Sequence, residues 1–544
     1  MTVVLEEGPG PDPAVDYRDR PPPRARRGRR APWWLWATAW LVLVPVAVPM
    51  AFLVVDVLQS SSAAWEVLFS TRTLELIIRS LVFTAAVTAT AALIGVAAAW
   101  ITFRIELWGR RVWTVLVMLP LVIPSYVIAL TLVSFFGGRG LFAEVTGIGL
   151  PAITGFWGAW LALSLSTYPY VFLITRTALR RVDPAYEEAA RGLGASSWRA
   201  FRTVVLPQLR PSIAAGSLLV ALYTLSDFGA VSLMRFDSFT RVIYAQYQGR
   251  LDRTPAAVLS VVLIVIALMV LWAEQKSRGR AAYFSRRPTR PMRRTQVSRR
   301  VRVGAYTFLG TVVGLALFLP VATLLFWWLR GMARGDVIDM RWGAVLGSLS
   351  GSTAAALIAM AAAIPVVVLT VRYRSRPSVA LDRSVYVVFS LPHITVALAV
   401  VLFGAQFLGP LYQSFLVLVI VYAILFLAQA TGSAGAALLQ VNPHLEDAAR
   451  GLGRGPLGTM RDITVPLIWR GLLAGGALVF LTTMKELPAT LLLRPTGFDT
   501  LSVRIWSTAN DLFYARAAAP ALLLVAVSAV PTYLILSRLR DPSA

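Results

Sequence analysis

The sequence predicts an all-α membrane protein with about 12 transmembrane helices in two pseudo-symmetric six-helix halves. Three observations carry this. The 544 residues are 57% hydrophobic and only 15% charged, with a mean hydropathy of +0.67, too apolar for a soluble domain. Apolar runs long enough to cross a bilayer core, about 20 residues each, recur along the chain. One charged phrase is spelled twice, VDPAYEEAARGLG at residues 182–194 and VNPHLEDAARGLG at residues 441–453.

The runs fall at residues 33–55, 76–103, 112–136, 150–175, 212–234, 254–273, 303–329, 345–371, 384–408, 411–439, 471–493 and 517–537. They divide the chain into a basic tail (1–32), a first half (33–273), a basic linker (274–302) and a second half (303–540). The first run exceeds the apolar region of a signal peptide and reads as a retained anchor. Most of the 52 Lys and Arg lie in the segments on the amino-terminal side, which predicts a multi-pass cell (plasma) membrane protein with both termini cytoplasmic. Both repeated phrases then face the cytoplasm, each between the fourth and fifth span of its half. The tail, GPGPDPAVDYRDRPPPRARRGRR, has no apolar residues to bury in quantity and is expected to be disordered. The linker reads as a basic hinge beside anionic lipid headgroups.

Composition excludes several chemistries. Cys is absent and only His393 and His444 are present, so disulfides, thiolate metal sites, a cysteine nucleophile and a histidine-built metal centre are not expected. No catalytic set and no bound cofactor is predicted. The net charge of +25 does not indicate nucleic acid, because the basic residues sit between apolar runs rather than on one folded face.

The duplication extends beyond the phrase. Adding 259 to the residue number carries Pro184 to Pro443, Glu187 to Glu446, Arg191 to Arg450, Gly194 to Gly453, Arg202 to Arg461, Pro207 to Pro466 and Asp227 to Glu486. LPLVIPSYVIAL from Leu119 and LPHITVALAVVL from Leu391 align with a step of 272. Halves of like orientation imply a pseudo-twofold axis along the membrane normal.

In each phrase, Asp183 or Asn442 is placed to cap a helix whose first residue is Pro184 or Pro443. Glu187, Glu188, Glu446 and Asp447 lie in its opening turns, where the helix dipole favours negative charge. Gly192 and Gly194, with Gly451 and Gly453, allow a sharp exit. SSWRAFRTVVLP and PLGTMRDITVP then predict a second short helix, giving a knob on the cytoplasmic side.

These phrases resemble the EAA signature of the membrane subunits of ATP-binding-cassette importers, with EEAARGLG leading to VVLP and EDAARGLG leading to ITVP. The second copy has Asp447 in place of Glu188 and Val465 before its proline. The resemblance implies the type I importer permease fold. It also implies that Glu187, Glu188, Ala189, Ala190, Gly192 and Gly194, with Glu446, Asp447, Ala448, Ala449, Gly451 and Gly453, form coupling helices seated in a cytoplasmic ATPase dimer, the carboxylates pairing with arginines there. The chain has no phosphate-binding loop G-x-x-x-x-G-K-[ST] of its own, so ATP would be used by a separate partner subunit. An extracytoplasmic substrate-binding protein is the second implied partner.

Two halves in one chain resemble importers of ferric iron, thiamine, putrescine-like solutes and phosphonate. LSDFGAVSLM from Leu225 and MKELPATLLLRPTGFDTLSVRIW from Met484 are most similar to the ferric-iron permeases, which makes iron the expected cargo and thiamine the first alternative. An ion-coupled secondary transporter is the competing class, and a membrane scaffold or enzyme a third, disfavoured by the shortage of catalytic residue types.

Four further residues are candidates for the translocation path. Asp227 falls about 22 Å along a helix from Ser212, at about 1.5 Å per residue, with Glu486 equivalent and Lys485 beside it. Intramembrane charges usually face a bundle interior or an aqueous path. They read either as an acidic gate and passing cation contact or as ion pairing that locks helices, and Lys485 favours the second at least equally. His393 reads first as a packed, hydrogen-bonded side chain and second as lining the path.

Overall fold

A computed structural model describes residues 31–60, 62–138, 140–249, 252–277, 295–335 and 341–538. The expected disorder of residues 1–30 and most of the linker lie outside the described residues. Those described are overwhelmingly helical, and their one β-bridge joins Ile105 to Thr295.

All twelve apolar runs form helices, but several are not straight rods. Seven are helices long and apolar enough to span: Thr71–Arg104, Gly155–Leu179, Phe201–Ser226, Thr254–Ala273, Arg299–Ala333, Trp342–Arg372 and Pro456–Met484. Four runs expected as single spans are broken pairs. Trp33–Leu41 and Val44–Gln59 bend by 54°, and Phe415–Leu425 and Leu427–Gln440 by 50°. Arg110–Val122 turns by 94° into Ser125–Phe135, and Arg376–Ser390 by 99° into His393–Phe407. The last helix is Tyr514–Arg538.

The two sharpest bends correct the alignment made from the Leu-Pro dipeptides. Each occurs just before a proline, Pro124 or Pro392, whose ring disfavours a helical residue ahead of it. The step that superposes these bends is 268 rather than 272, and it also carries Arg104 to Arg372, the last residues of two long helices.

The fifth and eleventh spans are interrupted too. The run expected at 212–234 stops at Ser226 and resumes as Gly229–Leu233, and that at 471–493 stops at Met484 and resumes as Pro488–Leu493. Towards the knobs both continue through a π-helical turn, Phe201–Val205 and Met460–Thr464, so the knob's second helix runs directly into the span.

Close packing holds each half. Val171 is wedged between two glycines: a Cβ on Gly95 would lie 2.8 Å from its Cβ, and one on Gly216 would lie 2.9 Å from its Cα. The second half repeats this, since a Cβ on Gly475 would lie 2.8 Å from the Cα of Ala430. Within a bilayer, small residues let helices approach where apolar attraction alone gives no preference.

The halves are also interlocked. Val44–Gln59 packs on His393–Phe407 of the second half, with Phe52 5.8 Å from Phe403 and 5.5 Å from Phe407 between ring centroids. Reciprocally, Leu319–Ala333 packs on Ser125–Phe135 of the first half, and Tyr306 meets Trp113 at 5.9 Å. Each half thus lends its first span to the other.

Gly216→Leu should force the helices around Val171 apart at a cost of about 1–3 kcal/mol or more and lower the thermal unfolding midpoint of the detergent-solubilised protein. Gly304→Leu, where a side chain meets nothing within 4 Å, should leave the midpoint unchanged.

Candidate functional site

The two repeated phrases fold as expected from their local chemistry. Asp183 Oδ1 accepts the Ala185 N–H at 3.0 Å and Asn442 Oδ1 accepts the His444 N–H at 3.0 Å, ahead of Pro184 and Pro443 in the helices Pro184–Gly192 and Pro443–Gly451. Gly194 and Gly453 have φ of +86° and +85°, a left-handed conformation that side chains with a Cβ disfavour. The Ala195 and Arg454 N–H groups then close the helix ends on the Ala190 and Ala449 carbonyls at 3.0 and 3.1 Å.

Glu187 and Glu446, expected to face a partner, face inward. Both are 4% exposed. Arg104 Nη2 donates to Glu187 Oε1 at 2.6 Å; Arg372 Nε donates to both Glu446 oxygens at 3.1 and 3.2 Å, and its Nη2 to the Val441 carbonyl at 3.1 Å. Each knob is therefore clamped to the end of its own half's long helix. The clamps differ in one respect. Thr464 Oγ1 donates to Glu446 at 3.2 Å, whereas the equivalent position in the first half is Val205, and Glu187 Oε2 is buried without a hydrogen bond.

The outward side of the knobs combines exposed apolar side chains with small residues and charges. Leu193 is 90% and Leu452 86% exposed, and the equivalent pair Tyr186 and Leu445 is exposed as well. Glu188, Ala189, Gly192, Gly194, Ala448, Gly451 and Gly453 share the exposed surface; Ala190 and Asp447 are half-buried and Ala449 is buried. Asp447 lies 3.8 Å from Arg450. Sequence reasoning missed Arg104, Arg372, Leu193 and Leu452. The leucines were signalled by recurring inside a charged phrase, and the arginines by ending two equivalent apolar runs.

The four intramembrane candidates come together at the breaks. Asp227 Oδ1 accepts the Ala230 N–H at 2.9 Å, its Oδ2 accepts from the Ser125 hydroxyl, and its carbonyl accepts from Thr240 Oγ1 at 2.6 Å. Glu486 repeats the pattern. Its Oε1 accepts the Ala489 N–H at 3.1 Å, its Oε2 hydrogen-bonds His393 Nδ1 at 2.8 Å, and its carbonyl accepts from Thr490 and Ser502 at 2.7 and 2.8 Å. Lys485 does not pair with Glu486. Its Nζ donates to the Leu121 carbonyl of the other half at 2.8 Å. These carboxylates satisfy backbone freed where the helices stop, and they tie each interrupted span to the sharp bend of the same half. His393 is packed and hydrogen-bonded, its ring 5.2 Å from that of Phe426.

Arg104→Met and Glu187→Met should each destabilise the protein by about 3–5 kcal/mol, because one buried charge loses its partner. The double variant should recover most of that loss, a non-additivity measurable by denaturation of single and double mutants.

The chain matches the family model of the binding-protein-dependent transport system inner membrane component twice, over residues 91–275 and 366–540. It is 32% identical over 513 residues to Fe(3+)-transport system permease protein FbpB 2 of Haemophilus influenzae, covering 93% of this chain and 98% of that one. It is 29% identical over 240 residues to the sulfate transport system permease protein CysT of Escherichia coli, covering 43% of this chain and 86% of that one. With the molybdenum transport system permease protein ModB of Escherichia coli it shares 32% identity over 199 residues, 34% of this chain and 87% of the other. The matched segments hold both knobs, both sharp bends and both interrupted spans, and the chain belongs to the binding-protein-dependent transport inner membrane components, as an importer permease with two copies of the family unit in one polypeptide.

Proposed function

We propose that this permease imports ferric iron, delivered by an extracytoplasmic binding protein and driven by a cytoplasmic ATPase dimer. The observation that carries the cargo is the extent of the resemblance to the Haemophilus influenzae ferric permease, which covers 93% of this chain, whereas the sulfate and molybdenum permeases cover 43% and 34% of it. The carboxylates of Asp227 and Glu486 are already engaged by their own chain. They give little ligand capacity to a passing cation, so selectivity rests mainly with the binding protein.

Coupling is assigned to the two knobs, with both termini on the cytoplasmic side. The exposed apolar pair Leu193 and Leu452 suits a hydrophobic cleft, flanked by Ala189 and Ala448, whose small size allows close seating. Glu188 is the exposed carboxylate that suits a partner arginine, whereas its counterpart Asp447 is half-buried beside Arg450. Glu187 and Glu446 act one step back: by holding each knob on Arg104 or Arg372, they make knob and long helix move together.

Cells lacking this gene should lose uptake of radiolabelled ferric iron and keep uptake of radiolabelled thiamine; unchanged iron uptake beside lost thiamine uptake would reverse the assignment. Leu193→Asp combined with Leu452→Asp should leave the protein inserted and folded, since both side chains are exposed, but abolish copurification of the ATPase and ATP-driven uptake. Retained copurification with normal uptake would remove the knobs from the coupling role.

A further inference from the structure

The helices Phe239–Gly249 and Leu501–Asn510 are equivalents: a step of 262 carries the hydrogen-bonded pair Ser238 and Thr240, 2.9 Å apart, onto Thr500 and Ser502, 3.0 Å apart. The same step carries Tyr244 to Trp506. These two rings touch, with centroids 5.7 Å apart at 87°. Equivalent residues of two like units can meet only beside the axis that relates them, so the pseudo-twofold axis passes here. It also passes beside the interrupted spans. Phe228 and Leu487 are equivalents by the step of 259, and a Cβ on Gly229, next to Phe228, would lie 3.1 Å from Leu487 Cδ2. Phe228 places its ring 4.8 Å from Tyr244 and 5.6 Å from Trp506. Phe228 and Leu487 are 1% and 2% exposed, so the axis is blocked.

We infer that Phe228, Tyr244, Leu487 and Trp506 form the closed gate of the translocation path, on the end of the spans away from the knobs. This rests on the chain being an importer permease, which requires a path between its halves. One further observation favours a gate over a permanent core, for it is built on levers. Phe228 and Leu487 directly follow Asp227 and Glu486, which staple them to Ser125 and His393. The helices leading to them, Phe201–Ser226 and Pro456–Met484, start at the knobs. Knob displacement therefore reaches the gate along one continuous helix per half. Lys485, bonded to the Leu121 carbonyl across the halves, adds a contact that opening must release. A narrow apolar constriction stops water and ions until its walls separate.

The natural absence of cysteine makes a direct test possible. In membrane vesicles holding the full transporter, Tyr244→Cys and Trp506→Cys joined by a short bifunctional methanethiosulfonate should lose ATP-driven uptake of radiolabelled ferric iron and regain it on reduction. Uptake that persists when mass spectrometry shows the link complete overturns the gate. A second arm needs no knowledge of the cargo. Phe228→Ala with Trp506→Ala should let radioactive rubidium cross without ATP, whereas Phe83→Ala, which removes an equally buried ring away from the axis, should not. Vesicles that hold rubidium in the double variant, or that leak equally with Phe83→Ala, overturn the assignment. If the unlinked protein takes up no iron while the rubidium arm behaves as stated, the cargo is wrong and the gate stands.

Discussion

Interrupting a helix inside a membrane leaves backbone donors and acceptors that no water can satisfy, and this constraint organises the molecule. Two pairs of equivalent interruptions show how it is met, the bends at Pro124 and Pro392 and the stops at Ser226 and Met484. Asp227 and Glu486 answer it by accepting the first free N–H groups of the next helix with one oxygen and a side chain from the bend with the other. A carboxylate is suited to this because its two oxygens can serve two segments at once. Bend and stop are thereby joined, and the spans can be discontinuous near the axis without exposing backbone to hydrocarbon.

The duplicated phrase was legible in the sequence down to its caps, because capping is local: Asp183, Pro184 and Gly194 act on residues within a few positions. The count of apolar runs was legible for a similar reason. The breaks were not. A run folded through 94° has the same apolar content as a straight one, and proline gives no unambiguous sign, since Pro169 and Pro365 sit inside uninterrupted helices while Pro124 ends one. The inward turn of Glu187 and Glu446 was hidden because their partners lie 83 and 74 residues away. A charged residue in a polar loop reads as solvent-facing until the fold brings a buried arginine to it. Lys485 shows the same limit in reverse, for adjacency to Glu486 suggested a pair that the geometry directs elsewhere.

Within this symmetry the halves have diverged in their polar chemistry. One staple is Ser125 with Asp227, the other His393 with Glu486. One knob clamp has a threonine donor and the other has Val205 in its place. Lys485 stands where the first half has Ser226. Such pairs keep the shape of the joint while changing its strength, so the two halves need not yield equally when the knobs are displaced. A single fused chain can keep such differences, because each half always meets the same neighbour.

The exchanged first spans have a consequence for how the protein is made. Phe52 rests on Phe403, yet 351 residues of chain separate them. At a synthesis rate of about 5–20 residues per second, roughly 20–70 s pass between their emergence from the ribosome. During that interval the Val44–Gln59 helix has left the insertion machinery and its eventual neighbour does not exist. It waits in lipid, with the face that will meet Phe403 and Phe407 covered by acyl chains or by a chaperone. Completion of the molecule is then a lateral search within the bilayer, and the covalent tether keeps that search between two parts of one newborn chain.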